Sequence, residues 1–386
     1  MNDPLAWIDD ELAALSAKGL DRHLRPLGGG APGRVVHDGR TLINFASNDY
    51  LGLAADPRLA AAANEAAATF GWGAGASPLV TGWREPHEKL AADLAAFEGA
   101  EAVALFPSGF AANLGTIVAL VGPGDAVYLD RLNHACLVDG ARLSGATLRV
   151  YPHADADRLA RSLSRDVGRF RRILIATDGV FSMDGDLAPL PRLADLADEF
   201  GAMLLVDEAH GTGLLGPTGR GSAELLGVSD RVSIKVGTLS KALGSVGGFV
   251  AGSGRLVDFL INRARPLIYS TGLPPAAAAA ASEALCISIS EPWRRAHALE
   301  LADRFRTAMV APGQNVGDSR SAIVPVLIGD ERETLALAGR LKERGLLVGA
   351  IRPPTVPRGT SRLRLGFCAS HTDGDLAALL GAIGAI

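Results

Sequence analysis

Only three cysteines occur in 386 residues, Cys136, Cys286 and Cys368, and none forms a CxxC pair. Their spacing excludes a disulfide-stapled scaffold and predicts reduced thiols in a cytoplasmic protein with no metal centre. Charge of one sign is lacking too. The formal net charge of −4 offers no field for nucleic acid, so an anionic substrate must be met by local arginines. Long apolar runs are missing. The alanine run 276–281 is too short to span a bilayer, and Pro274-Pro275 opens it as a helix start. The opening stretch MNDPLAWIDDELAALSAKG is acidic and amphipathic without an apolar core, unlike a secretory signal. Neither a membrane nor a nucleic acid is expected as a partner.

Glycine is abundant at 46 residues while aromatics make up 5%, which suits many tight strand-to-helix turns better than a β-sandwich. From about 100 to 250, short apolar runs alternate with amphipathic stretches. The runs are AVALF (102–106), AVYLD (126–130), TLRVY (147–151), RILIAT (172–177), AMLLVD (202–207), RVSIKV (231–236) and GFVAG (248–252). Runs this short, apolar on both faces, predict buried and mostly parallel strands. Segments such as PLPRLADLADEFG carry helical spacing and end in glycine. The fold class is therefore α/β, a large doubly wound sheet domain. Beyond Pro274-Pro275, 276–313 predicts long helices. SAIVPVLIG (321–329), a helix over 331–344, LLVGAI (346–351) and SRLRLGF (361–367) then predict a smaller α+β domain. The expected division is an N-terminal arm, 1–45, joining the small domain, a large domain, 46–275, and the small domain, 276–386. The chain is long enough for both.

Five segments carry candidate chemistry. In GTLSKALGSVGG (237–248), Lys241 follows a strand in a turn of small residues. A lone lysine is normally a solvated surface group. Here small neighbours admit a ligand, Thr238 and Ser240 offer hydroxyls to a phosphate, and a desolvated amine suits an aldehyde. In LLVDEAHGTG (204–213), Asp207 ends an apolar strand and His210 follows three residues later. A helix cap is the plain reading of that aspartate; pairing with a pyridinium nitrogen is the functional one. FPSGFAANLG (106–115) puts the N–H groups of Ser108, Gly109 and Phe110 at a helix start, where a phosphate binds. RLNHACL (131–137) offers His134 to stack on a planar ring, and TDGVFSMDGD (177–186) places Ser182 in a turn after a strand. GTGLLG (211–216) matches the dinucleotide pattern GxGxxG and is rejected on context. DEAH separates it from its strand, and Pro217 and Gly219 interrupt the helix that should follow.

In this order, FASNDYLGL, SGFAAN, TDGVFSMDGDLAPL, VDEAHGTG and GTLSKALG resemble the signatures of the α-oxoamine synthases, fold-type-I pyridoxal-phosphate enzymes. The similarity runs over essentially 40–370. It implies pyridoxal 5'-phosphate held as a Schiff base on Lys241, with Asp207 at the pyridinium nitrogen. It implies that His134 stacks on the ring, that His210 meets the phenolic oxygen, and that Gly109, Phe110, Ser182 and Thr238 bind cofactor. Arg22, Asn48, Arg352, Thr355 and Arg364 resemble substrate-contacting positions, with Arg364 at the amino acid's carboxylate.

SNDYLGL (47–53), LVTG (79–82), YSTGLPP (269–275) and AIRPPTVPRGTSRLRL (350–365) look most like the family member that joins L-alanine to a pimeloyl thioester in biotin synthesis. Pro78 departs from the Arg or Gly of many relatives. The implied reaction is a decarboxylative condensation releasing CO2 and a thiol, with coenzyme A or a carrier protein as acyl carrier. The resemblance also implies a homodimer with shared active sites, YSTGLPP being lent to the neighbour. Glycine C-acetyltransferase, 5-aminolevulinate synthase and serine palmitoyltransferase share the cofactor site and remain alternatives. A non-catalytic partner subunit is the alternative from another class, opposed by the intact Lys241, Asp207 and His134.

Overall fold

A computed structural model describes residues 3–310 and 313–384. The chain opens with an exposed helix, Trp7–Ala17, and a hairpin of β1 (Arg34–His37) and β2 (Arg40–Asn44). Seven further strands form the main sheet: β3 (Ala102–Phe106), β4 (Ala126–Asp130), β5 (Thr147–Tyr151), β6 (Ile173–Asp178), β7 (Met203–Asp207), β8 (Ile234–Thr238) and β9 (Gly248–Gly252). Their order is β3-β9-β8-β7-β6-β4-β5. The five from β8 to β5 run parallel, while β9 is antiparallel to both β8 and β3. Every residue of β4 and β8 is buried, which is why neither segment shows the alternation of a half-exposed strand.

One face of this sheet is covered by helices Gly109–Leu120, Ala135–Ser144 and Gly254–Arg263, which bring Ile117, Leu137 and Leu260 against Leu129, Leu205 and Val236. The other is covered by Ala156–Arg165 and Leu190–Phe200, through Leu159, Leu163, Leu193 and Leu196. Two layers of helices cover the central strands on both faces, and only the edge strand β5 keeps a residue, Val150, in water, so the central strands are accessible at their carboxyl ends. There the chain must leave each strand in a loop, and parallel strands deliver those loops to one side.

The C-terminal part contains β10 (Ile323–Gly329), β11 (Leu346–Leu347), β12 (Gly349–Ile351) and β13 (Ser361–Gly366). Strands β10, β13 and β12 form an antiparallel sheet, whereas β11 pairs in parallel with β2 of the arm. The helix Pro275–Ser290 packs against Pro57–Phe70 and Glu85–Glu98, joining this part to the rest through the largest apolar cluster. Among the described residues no helix is long and apolar enough to cross a membrane.

Candidate active site

The carboxyl ends of β4, β6, β7 and β8 are Asp130, Asp178, Asp207 and Thr238. Three aspartates at neighbouring strand ends are costly to bury as anions, so their partners define the site. Asp207 accepts from Asn113 Nδ2 at 2.7 Å through one oxygen and from the backbone N–H of Ala209 at 2.8 Å through the other. Asp178 is buried beside it and accepts from the His134 N–H at 2.8 Å. Burial, and then the charge of Asp207, push the Asp178 carboxyl well above the usual range. Asp178 therefore holds a proton more readily than an ordinary aspartate.

Lys241 sits in the turn after β8. Leu239 N–H donates to Gly247 at 3.0 Å and Ser245 N–H to Leu239 at 2.8 Å, closing the turn. Gly244 has φ +61, and a Cβ there would stand 2.5 Å from the Ala54 nitrogen, so only glycine lets this turn meet the 49–54 loop. Lys241 Nζ lies 2.9 Å from His210 Nε2, and Tyr50 Oη lies 2.6 Å from His210 Nδ1. Arg364 Nη2 donates to Asn48 Oδ1 at 3.0 Å, and its Nε donates to the Ser182 carbonyl at 2.5 Å. Tyr50 Oη also lies 3.2 Å from Asn48 Oδ1.

Burial, then the neighbouring Lys241 and Arg364 charges, hold His210 well below the usual imidazole value, so it is neutral. A neutral ring has one donor and one acceptor. With Nε2 accepting from Lys241, Nδ1 donates to Tyr50 and Tyr50 donates to Asn48, and each group has a partner. Burial lowers the Lys241 amine below the ordinary lysine value, opposed by Asp207 and Asp178 and aided by Arg364. An amine so placed gives up its proton more readily than a solvated one.

The helix Gly109–Leu120 begins beside this cluster, capped by Ser108 Oγ, which accepts from Ala111 N–H at 3.1 Å. A Cβ on Gly109 would meet Thr238 Cβ at 3.2 Å, so the helix start and the end of β8 nearly touch. Thr238 Oγ1 donates to the Gly247 carbonyl at 2.9 Å and lies 2.8 Å from Ser240 Oγ. Free N–H groups and hydroxyls there suit a phosphate. The rings of His134 and Phe110 meet edge to face, 6.4 Å apart, at the exposed mouth. Asn113 Oδ1 is buried without a partner beside Asp207. An orphaned acceptor, an amine of lowered basicity, a carboxylate and a helix N-terminus beside hydroxyls fit the pyridoxal phosphate that the resemblance implies.

Lys241, His210, Asp207, His134, Ser182, Thr238, Gly109, Phe110, Asn48 and Arg364 thus border one connected region. Arg22, Arg352 and Thr355 form a second region, lining a cavity of about 570 Å³ with Asp21, His23 and Arg25. Arg352 Nη2 donates to the Asp21 carbonyl at 3.1 Å, and Arg22 and Thr355 are exposed. The two regions share a sheet, since Arg364 pairs with Gly349 across β13 and β12 and Arg352 follows that strand.

Tyr50, Asn113 and Asp178 join the site without standing out in the sequence. Asn113 had a signal, as a polar residue on the buried face of an otherwise apolar helix. Tyr50 and Asp178 had none beyond lying inside SNDYLGL and TDGVFSMDGD. GTGLLG falls in turns, with Gly213 and Gly216 at φ +81 and +88 and no helix before Ser222, so it makes no dinucleotide site. Among the described residues no cluster of three or more His, Cys, Asp or Glu is placed to hold a metal.

Comparison with known proteins gives a consistent result. Residues 40–383 match the family described as aminotransferase class I and II. The chain is 54% identical to 8-amino-7-oxononanoate synthase of Anaeromyxobacter dehalogenans, over 97% of this chain and 95% of that protein. Its backbone matches a serine palmitoyltransferase from S. paucimobilis, solved with bound PLP and myriocin. That match has TM-score 0.93 and 32% identity, over 100% of this chain and 98% of the other. It also matches 8-amino-7-oxononanoate synthase from Francisella tularensis, with TM-score 0.77 and 28% identity over 89% and 97% of the two chains.

Proposed function

The chain belongs to the aminotransferase class I and II family, and we propose that within it the protein has 8-amino-7-oxononanoate synthase activity. L-alanine and a pimeloyl thioester give 8-amino-7-oxononanoate, CO2 and free thiol, a step of biotin synthesis. The observation that carries this reading is the 54% identity to a synthase of that name over 97% of the chain. The alternative with its own support is serine palmitoyltransferase, whose backbone fits with TM-score 0.93. Backbone likeness is shared by enzymes of many specificities on one fold, so the higher identity decides.

Pyridoxal phosphate, when bound, supplies an electron sink for negative charge at the amino acid's Cα. Lys241 would hold it, and the lysine amine, kept less basic by burial, would take the proton from the amino acid's Cα. Asp207, fixed by Asn113 and Ala209, would supply a carboxylate to the pyridine nitrogen. His134 would cover the ring, His210 would lie against the phenolic oxygen, and Gly109, Phe110, Ser182 and Thr238 would bind the cofactor. Arg364 takes the alanine carboxylate, with Asn48 steadying its guanidinium. Arg22, Arg352 and Thr355 receive the acyl substrate.

The protein acts as a cytoplasmic homodimer in this reading. Exposed Leu79, Val80, Trp83 and Tyr269 support it. They lie on segments tied by Ser77 Oγ donating to Ile268 at 2.8 Å and Gly272 N–H donating to Ala76 at 2.9 Å. Such a dimer buries roughly 2,000 Å² or more.

The test is steady-state kinetics with alanine, glycine and serine against pimeloyl, acetyl and palmitoyl thioesters, on both coenzyme A and a carrier protein. Alanine with pimeloyl thioester should be the best pair. Its margin over glycine should be roughly 10- to 200-fold, because one methyl is worth ~1–3 kcal/mol in a pocket. Serine with palmitoyl thioester as the best pair would replace this reading with its rival.

A further inference from the structure

The geometry points to His153 as a positioning residue that staples together two loops of the active site and thereby sets Arg364. The inference rests on the reading of Arg364 as the group that holds the amino acid's carboxylate. His153 lies just past β5, outside every motif that carries chemistry. Its Nδ1 is 3.0 Å from Asp130 Oδ1, and its Nε2 is 2.9 Å from Asp186 Oδ2. With a carboxylate against each ring nitrogen, both must carry hydrogen, and the ring is an imidazolium. Burial alone would lower its pKa, but the hydrogen bonds from Asp130 and Asp186 prevail and raise it to about 10. The edge-to-face ring of Phe181, 4.5 Å away, fixes its plane.

Each carboxylate belongs to a different functional loop. Asp130 ends β4 and starts the turn to His134. It accepts from Leu132 N–H at 2.8 Å and Ala154 N–H at 2.7 Å, and its carbonyl accepts from Asn133 N–H at 3.1 Å. Asp186 lies in the loop 179–187, which carries Ser182, and its carbonyl accepts from Phe181 N–H at 3.0 Å. From the opposite side, β13 grips the same loop: Arg362 pairs with Asp184, and Arg364 donates to the Ser182 carbonyl. The Ser182 loop is thus held between the C-terminal sheet and an imidazolium anchored on the main sheet. Removing the cation leaves two buried carboxylates without their shared donor and frees the loop on the side away from Arg364. The Ser182 carbonyl then no longer presents a fixed acceptor to the Arg364 guanidinium.

The experiment compares His153→Gln and the milder Asp186→Asn with the wild-type holoenzyme. Alanine binding is titrated through the absorbance of the bound cofactor, KM and kcat are measured for both substrates, and crystal structures of both variants are solved. We expect the alanine Kd and KM to rise about 10-fold in His153→Gln, as for a lost charge-assisted hydrogen bond only partly transmitted, and less in Asp186→Asn. The KM for pimeloyl thioester should stay within about 2-fold, and the Ser182–Arg364 contact should be broken or lengthened. A fall in kcat with both KM values unchanged would mean fewer active molecules and overturn the inference. So would an unchanged Ser182–Arg364 contact in either variant, whatever substrates the enzyme prefers. If the wild type rejects alanine with pimeloyl thioester, the proposed function fails, while the crystal structures still decide the role of His153.

Discussion

The Lys241 region and the Arg22–Arg352–Thr355 region solve the problem of holding a charged group in opposite ways. Around Lys241, almost every polar atom has a protein partner within 3.5 Å, and Asp207, Asp178, His210 and Arg364 are buried. Around Arg352, the guanidinium donates to the Asp21 carbonyl on a half-exposed surface, and the arm's helix Trp7–Ala17 buries none of its residues. The first region is assembled from the ends of parallel strands that the core already fixes. The second is assembled from an arm and a proline-rich loop, whose ordering the core does not enforce. Buried, paired charge is worth much more per group than exposed charge, so the same substitution should cost unequally in the two places.

The largest effect should come from Lys241→Ala. Turnover should fall by at least about 10³-fold, since covalent attachment and proton removal are lost together, while the cofactor still binds non-covalently. A variant keeping a tenth of wild-type kcat would end the contrast by making the buried amine dispensable. Asp207→Asn should come next, with kcat down by ~10²-fold or more and circular dichroism unchanged, as for loss of a preorganised charge facing a reacting system. Near-normal turnover would mean that another group, with Asp178 the nearest candidate, keeps the ring nitrogen protonated.

The smallest effects should lie in the arm pocket. Arg352→Ala and Arg22→Ala should each raise the KM for pimeloyl thioester by about 2- to 5-fold, the range of an exposed ion pair, and barely alter an acetyl thioester. A 100-fold change would show that substrate binding buries this pocket as thoroughly as the first.

The same contrast explains what could be read from sequence. All seven strands of the main sheet announced themselves as apolar runs, because burial on both faces removes polar residues from them. The runs 172–177 and 202–207 end within a residue of β6 and β7, and Lys241 and Asp207 stood out as charged residues at or just past the ends of apolar strands. RVSIKV was displaced, since β8 is Ile234–Thr238 and reaches two residues further, through Gly237. A Cβ on Gly237 would strike the Phe249 ring at 2.2 Å, a tertiary demand that no local pattern encodes. The parallel pairing of β11 with β2 joins residues some 300 apart, and Tyr50, Asn113 and Asp178 act through partners 160, 94 and 44 residues away. Periodicity reports which face is buried, not which buried polar group finds which other.

The most direct test is chemical. Borohydride reduction of the holoenzyme, followed by digestion and mass spectrometry of the labelled peptide, should place the reduced cofactor on Lys241 alone. A label on Lys235, buried in β8 six residues earlier, or on any other lysine would contradict the assignment of the active site.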